Sequence, residues 1–408
     1  MTDLLAHGRS VPGWIQALTV AELDDDTDAI FTRLRRESPL SWIPVLNAWI
    51  ATTWELCDAI AADPENFKGG DSPLMDRLFG VPNIVGAEGD LHASLRAVID
   101  QPLAPRAFRG QLETHVRPVA RAALGPLRDR RGAELMADYF EPVSVRCVAD
   151  VFGFDAIPTA QLRRWFHELA VASANTTDET GQFPDARAFD SADEVRAEVR
   201  RYLESFAEQE RANPDNGHFS RLFRAGLPAG RMRSPEELLP SFLIVFLGGL
   251  QEPGHACGAT FLALATHPET RQRVLDDLRL LPRAIAEALR WMSPLYGGAI
   301  RIAAHDMTYA GRELRQGEAI WLAYGSANHD ESVFEAGGQY SLTRARHPNL
   351  AFGTGRHRCP GSAFAPQVAR IALEELFREF PSIRLDPARP PAPKGWLFRG
   401  ARELHSVW

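Results

Sequence analysis

Phe352, Gly353, Gly355, His357, Cys359 and Gly361 fall at the spacing F-G-x-G-x-H-x-C-x-G within the segment LAFGTGRHRCPGSAF, residues 350–364. The order is loop, cysteine, then the amphipathic run RIALEELF. A thiolate at such a junction gains from the positive end of the helix, from backbone N–H groups without intrahelical partners, and from Arg356 and Arg358. Glycines let the backbone lie close against a flat ligand. The same residues also fit an inert cysteine in a glycine-rich turn, or an anion-binding loop of a nucleotide module.

A second chemical cluster closes the most apolar run of the chain, LGGLQEPGHAC at 247–257. Gly and Pro cost roughly 1 and 3 kcal/mol inside a helix, and an unpaired buried carboxylate costs more. Pro253 has no N–H, so the Gly249 carbonyl loses its i+4 partner and a local groove opens. Freed carbonyls there can hold water, Gln251 can order it, and Glu252 can move protons. A plain kink, with Glu252 paired to a distant arginine, is the alternative.

These residues need a frame to hold them. ELDDDTDAIFTRLRRE, LHASLRAVID, GQLETHVRPVARAALGPL, DEVRAEVRRYLESFAEQERA and RIALEELFREF repeat apolar residues three and four apart, which predicts a mainly α chain. Strand patterns are few: LSWIPVLNAWIATT, MTYAGRELRQGEAIWLAY and SIRLDP, enough for small β-sheets. Ser234, Pro235 and Glu237 form a helix-start signature. A helix from there to Thr266 would run about 30 residues, or roughly 45 Å.

No repeat or linker divides the chain, so residues 1–408 are expected to form one domain. A formal charge of -8 and a pI near 5.9 oppose a nucleic-acid binder. The longest apolar run is too short to span a bilayer and the first residues carry no leader pattern, so a cytoplasmic protein without a membrane segment is expected. Cys57, Cys147, Cys257 and Cys359 are scattered without CxxC spacing, which suggests neither disulfides nor zinc.

The cysteine segment resembles the haem-ligand loop of the cytochrome P-450 superfamily. That resemblance implies a P-450 fold with haem (heme b) between a long central helix and the cysteine-loop helix. It makes Cys359 the iron ligand, with Phe352, Gly353 and Gly361 around it. Glu287 and Arg290 match the superfamily's E-x-x-R pair, and Arg344 its third, scaffolding member. His92, Arg96, Arg301 and His357 match positions that contact the haem propionates, while Asn349 stands where many bacterial members have His. The central helix of the superfamily usually reads A/G-G-x-D/E-T. Gly248 and Gly249 match it, but Gln251 occupies the acid slot and Glu252 the alcohol slot, followed by Pro253. The resemblance therefore makes Gly249, Gln251, Glu252 and Pro253 the oxygen-side group.

LGGLQEPGH, RAIAEALRWMSP, YGSANHD and RIALEELF together resemble the actinobacterial P-450 aromatic O-demethylases that act on guaiacol-type methoxyphenols from lignin. Such enzymes use O2 and electrons from NADH, delivered by a reductase carrying flavin and a 2Fe-2S centre. They oxidise an O-methyl group to a hemiacetal that collapses to a catechol and formaldehyde. The matching pocket positions are Phe79, Val85, Ser173, Ile244, Leu247, Gly248, Gly298, Ala299 and Phe398. Ser173 replaces an aromatic wall, and Gly298 and Ala299 stand where bulkier groups are found, so a roomier pocket for a 4-alkylguaiacol is expected. Arg106, Arg109, Arg356 and Arg358 would form the reductase-docking face. A hydroxylase of a terpene, fatty acid or macrolide shares the haem motifs and is the other expectation.

Overall fold

The periodic segments do form helices, but they break where the sequence offers a cap. The structure, a computed structural model, describes residues 11–70, 73–108, 110, 112–175, 185–212, 222–228 and 230–408. Twelve helices matter for the site. They are α1 (Thr27–Glu37), α2 (Trp54–Ala62), α3 (Pro73–Phe79), α4 (Gly89–Leu103), α5 (Leu112–Leu124), α6 (Glu141–Val151), α7 (Thr159–Ser173), α8 (Asp190–Ala212), α9 (Pro235–Gly249), α10 (Glu252–Thr266), α11 (Leu281–Met292) and α12 (Ala365–Glu379). The first periodic run is divided at Asp26: a capping box of Thr19 and Glu22 starts the short helix Val20–Asp25 ahead of α1.

The expected long central helix is two in direct succession, α9 and α10. Ser234 caps α9 as the sequence predicts, its N–H donating to Glu237 Oε2 at 2.7 Å. Regular hydrogen bonding lapses after Gly249 and resumes at Glu252, yet Leu250 (φ -61, ψ -41) and Gln251 (φ -96, ψ -22) keep right-handed helical angles. The break is thus a lapse of the hydrogen-bond ladder within helical backbone angles. Small residues bury α10 on every face, where it packs against α6, α11 and α12. Pro366 sits in the first turn of α12, where its missing N–H costs nothing.

Ten short strands supply the β part: β1 (Leu40–Ile43), β2 (Ala48–Ala51), β3 (Phe67–Gly69), β4 (Gly132–Glu134), β5 (Ala299–Ala303), β6 (Met307–Tyr309), β7 (Arg312–Leu314), β8 (Ala319–Leu322), β9 (Arg384–Leu385) and β10 (His405–Val407). Five of them form a sheet in the order β1-β2-β8-β5-β3, in which only the β2–β8 pair is parallel. Its register sets Gly69 of the edge strand β3 opposite Arg301 of β5, one strand in from the edge. Among the described residues, no helix is long and apolar enough to cross a membrane.

Candidate functional site

The cysteine loop is built from its own backbone outward. Gly353 N–H donates to Leu350 O at 2.9 Å, Cys359 N–H to Phe352 O at 2.9 Å, and Arg358 N–H to Gly355 O at 3.1 Å. Gly353 has φ +66, and a Cβ there would stand 3.1 Å from the Tyr324 ring. Leu350 N–H donates to Asn328 Oδ1 at 2.7 Å, and the Asn328 carbonyl accepts from Arg290 Nη1 at 2.7 Å. Arg290 and Arg344 both hold Glu287, at 2.8 and 2.9 Å. The three charges therefore brace the loop from beneath. Asn349 braces it as well, its Oδ1 accepting from Ala351 N–H at 3.1 Å.

Two expected sources of thiolate stabilisation are displaced. A 3₁₀ turn, Pro360–Ser362, separates Cys359 from α12, so the helix's positive end does not begin at the sulfur. Arg356 turns inward onto Glu88, at 2.5 and 2.6 Å, and onto the Phe67 carbonyl at 2.9 Å. Burial pushes the Cys359 thiol up; the Gly361 N–H and the charges of Arg96 and Arg358 oppose this, while Glu252 adds to it. A metal cation at the sulfur supplies what the loop alone does not.

Beside the cysteine, α4, β5 and the loop bring donors together. The His92 and His357 rings lie 4.3 Å apart, and Arg301 is only 2% exposed. Arg301 spends one nitrogen on the Ile300 carbonyl at 2.9 Å. Its Nε and Nη2, with His92 Nε2, are buried and without a hydrogen-bond partner in the described protein. Such donors are costly unless an acceptor meets them. Arg96 is partly committed, to Asp100 at 2.8 Å and to the Arg356 carbonyl at 3.4 Å. Burial, then the charges of Arg301 and His92, bring His357 down to about 4.

Glu88 was not among the sequence candidates. It accepts from the Gly69 N–H, holds Arg356, and reaches His357 Nε2 at 3.4 Å. Burial pushes its carboxyl up, but the Arg356 hydrogen bonds and the Gly69 N–H outweigh that and hold it at about 2. Its signal was its place four residues before His92, one turn along the same helix face.

The facing wall is the break between α9 and α10. Gly248 is exposed within an otherwise apolar helix, with nothing within 4 Å of an added Cβ. The Leu250 carbonyl is taken by Ser144 Oγ at 2.5 Å, where water was expected to serve freed carbonyls. Gln251 O accepts from the His255 N–H at 3.1 Å. Glu252 pairs with His255 Nδ1 at 3.4 Å rather than with a distant arginine, and its charge is felt at Cys359. Gly249 and Pro253 flank this turn, half-buried and buried.

The pocket candidates divide. Phe79, at the end of α3, and the half-buried Val85, Ile244 and Leu247 belong to one apolar cluster. Ala299 starts β5 opposite Leu322. Gly298 has φ +73, and a Cβ there would lie 1.7 Å from Leu322 O, so the backbone crossing demands glycine and pocket width does not explain it. Ser173 ends α7 with its hydroxyl donated to Ala170 O at 2.8 Å, and Phe398 is 56% exposed, apart from that cluster. Of the docking arginines, Arg106 and Arg358 are exposed, Arg356 is internally paired, and Arg109 lies outside the described residues.

A cysteine braced by an E-x-x-R pair, flanked by buried donors without acceptors and facing a broken central helix, agrees with the comparison to known sequences. The sequence profile of the family described as Cytochrome P450 matches residues 182–396. The chain belongs to the cytochrome P450 family. It is similar to the methyl-branched lipid omega-hydroxylase of Mycobacterium bovis, 28% identical with 95% of this chain and 92% of the relative aligned. It is also similar to the mycinamicin IV hydroxylase/epoxidase of Micromonospora griseorubida, 27% identical over 88% and 89% of the two chains. The solved structure of P450BioI, in complex with hexadec-9Z-enoic acid ligated acyl carrier protein, shares the fold at a TM-score of 0.81 and 23% identity, over 93% of this chain and 97% of that one.

As a P450, the chain takes haem, with iron held by a thiolate, and O2 as co-substrate. The residues fit that group. Cys359 is half-buried at the loop's inner end, and the buried donors of His92 and Arg301 suit two carboxylates.

Proposed function

We propose that this P450 is a monooxygenase that O-demethylates guaiacol-type methoxyphenols, 4-alkylguaiacols foremost, giving a catechol and formaldehyde. Electrons come from NADH through a reductase carrying flavin and a 2Fe-2S centre, which docks on the cysteine-side face at Arg106 and Arg358. The observation that carries this reading is Glu252, half-buried in the first turn of α10 where the Gln251–Pro253 break ends, with His255 Nδ1 at 3.4 Å.

When bound through Cys359, the haem supplies O2 activation and insertion of one oxygen atom into a C–H bond of the O-methyl group. His92, Arg96, Arg301 and His357 would hold its propionates, and Phe352, Gly353 and Gly361 would shape the loop that receives it. Glu252 would hold and pass protons from the first turn of α10, with Gln251 orienting water and Gly248 and Gly249 leaving room for O2 and substrate. Phe79, Val85, Ile244 and Leu247 wall the aromatic ring, with Ala299 at its edge. The preference for an extra ring substituent rests on Ala299 and Ser173. The P450 fold, the family profile and the QEP break support this reading.

The second reading, hydroxylation of a lipid or macrolide, is favoured by the printed activities of the mycobacterial and Micromonospora relatives. A spin-state titration of the haem-loaded enzyme separates the two. Tight binding of 4-propylguaiacol with formaldehyde released in step with O2 use is expected. A shift with a long-chain fatty acid and none with methoxyarenes would select the second reading.

A further inference from the structure

His255 has no task in the mechanism above, yet two helices converge on it. Its Nδ1 lies 3.4 Å from Glu252 Oε1, one turn along α10. Its neighbour Gly254 is where α10 presses on the start of α6: a Cβ there would stand 3.0 Å from Phe140 O and 3.4 Å from Glu141 N. Glu141 opens α6 at that contact with its side chain 4% exposed, and its charge acts on His255. Glu141 is itself fixed from α7, by Arg163 at 2.9 Å and His167 at 2.8 Å.

Two carboxylates therefore act on the imidazole: Glu252 on its own helix, within 3.4 Å, and Glu141 at the start of α6, through its charge. Among the described residues, these are the charged groups whose effect on it is felt. Burial favours the neutral ring, but the Glu252 charge and hydrogen bond, joined by Glu141, outweigh it and raise the His255 pKa above its ordinary value. Burial likewise opposes ionisation of Glu141, but His167 and Arg163 hold it at about 2, so it stays ionised and acts through its charge.

We propose that His255 is the proton store behind Glu252, and that Glu141 is a positioning residue that keeps the store charged. The proposal rests on the role given to Glu252 above. In each cycle the His255 Nδ1–H bond breaks and an O–H bond forms on Glu252; no electrons move, and neutral His255 regains its proton from water.

The test uses the haem-loaded enzyme and two readouts. Nitrogen-15 NMR of the reduced carbon monoxide form follows the His255 ring titration without turnover. The ratio of product to O2 consumed is followed across pH. In the parent, coupling should fall as pH rises through the raised His255 pKa. His255→Gln should lower coupling roughly tenfold. Glu141→Gln should move both the NMR titration and the alkaline limb of coupling to lower pH by the same interval. Glu141→Asp, which withdraws the carboxylate by one methylene, should do so in smaller measure and keeps the test open if the Gln variant does not fold.

If Glu252→Gln uncouples the enzyme while His255→Gln stays within about twofold of the parent, the store is overturned and Glu252 stands. An unmoved titration and an unmoved limb in both Glu141 variants overturn its positioning role. If Glu252→Gln is itself coupled like the parent, the reading beneath the proposal fails, and the proposal with it.

Discussion

Ser144 Oγ on α6 donates a 2.5 Å hydrogen bond to the carbonyl of Leu250, the residue at which the regular ladder of the central helix lapses. Ser144 is 1% exposed, so the bond is shielded from water. It turns a carbonyl that the break would leave buried and unmet into a tie between two helices. Ser144→Ala should cost about 1–3 kcal/mol, the penalty for a buried acceptor left without a donor. Thermal melts of the haem-loaded protein measure it; an unchanged midpoint would mean that Leu250 finds another donor.

Arg301 carries the opposite sign in the apoprotein and the loaded enzyme. With Nε and Nη2 buried and unmet, its guanidinium burdens the protein alone and is relieved by an anionic group. Arg301→Met should leave the apoprotein's urea midpoint unchanged or higher, while haem dissociates roughly tenfold faster, the worth of one charge-assisted hydrogen bond. A lower urea midpoint with an unchanged haem dissociation rate would make Arg301 a structural residue of β5 and not a haem anchor.

Which of these parts the sequence reveals depends on how local their causes are. Cys359 and its glycines are legible because the loop's own backbone hydrogen bonds, Gly353 to Leu350, Arg358 to Gly355 and Cys359 to Phe352, close within ten residues. So is the capped start of α9 at Ser234. Pro253 announces the break, but Ser144, which completes it, lies 106 positions before Leu250 and carries no mark of its own. Strands such as β3 and β4, three residues each, are too short for alternation to register. Arg356 reads as a surface cation until the fold brings it to Glu88, 268 positions away.

Glu88 makes the site acid-sensitive. Its carboxyl is held at about 2 in the fold against an ordinary value of 4.5. A depressed carboxylate adds stability that is fully present above the unfolded value and is lost as pH falls through the folded one. The loss therefore spreads between pH 4.5 and about 2. The contribution is on the order of 3 kcal/mol at most, and less because part of the side chain meets solvent. Glu88→Gln should be less stable than the parent at neutral pH, with the gap closing across that window. Urea midpoints taken from pH 7 downward (roughly one unit apart) check it, and a gap independent of pH would assign the loss to packing.

Gly298 separates a backbone requirement from a pocket requirement. Its φ of +73 is a conformation that side chains resist, and a Cβ would meet Leu322 O at 1.7 Å, where β5 begins to pair with β8. Neither strand can yield without breaking the five-stranded sheet that carries Arg301 to the cysteine loop. Gly298→Ala should therefore lose more than about 3 kcal/mol, as clashes with fixed backbone do, and retain little haem. Ala299→Val, one residue on and free of that clash, should keep the fold and narrow the cavity, weakening the spin shift with 4-propylguaiacol more than with guaiacol. If Gly298→Ala instead melts like the parent and alters ligand preference alone, the glycine is there for the substrate.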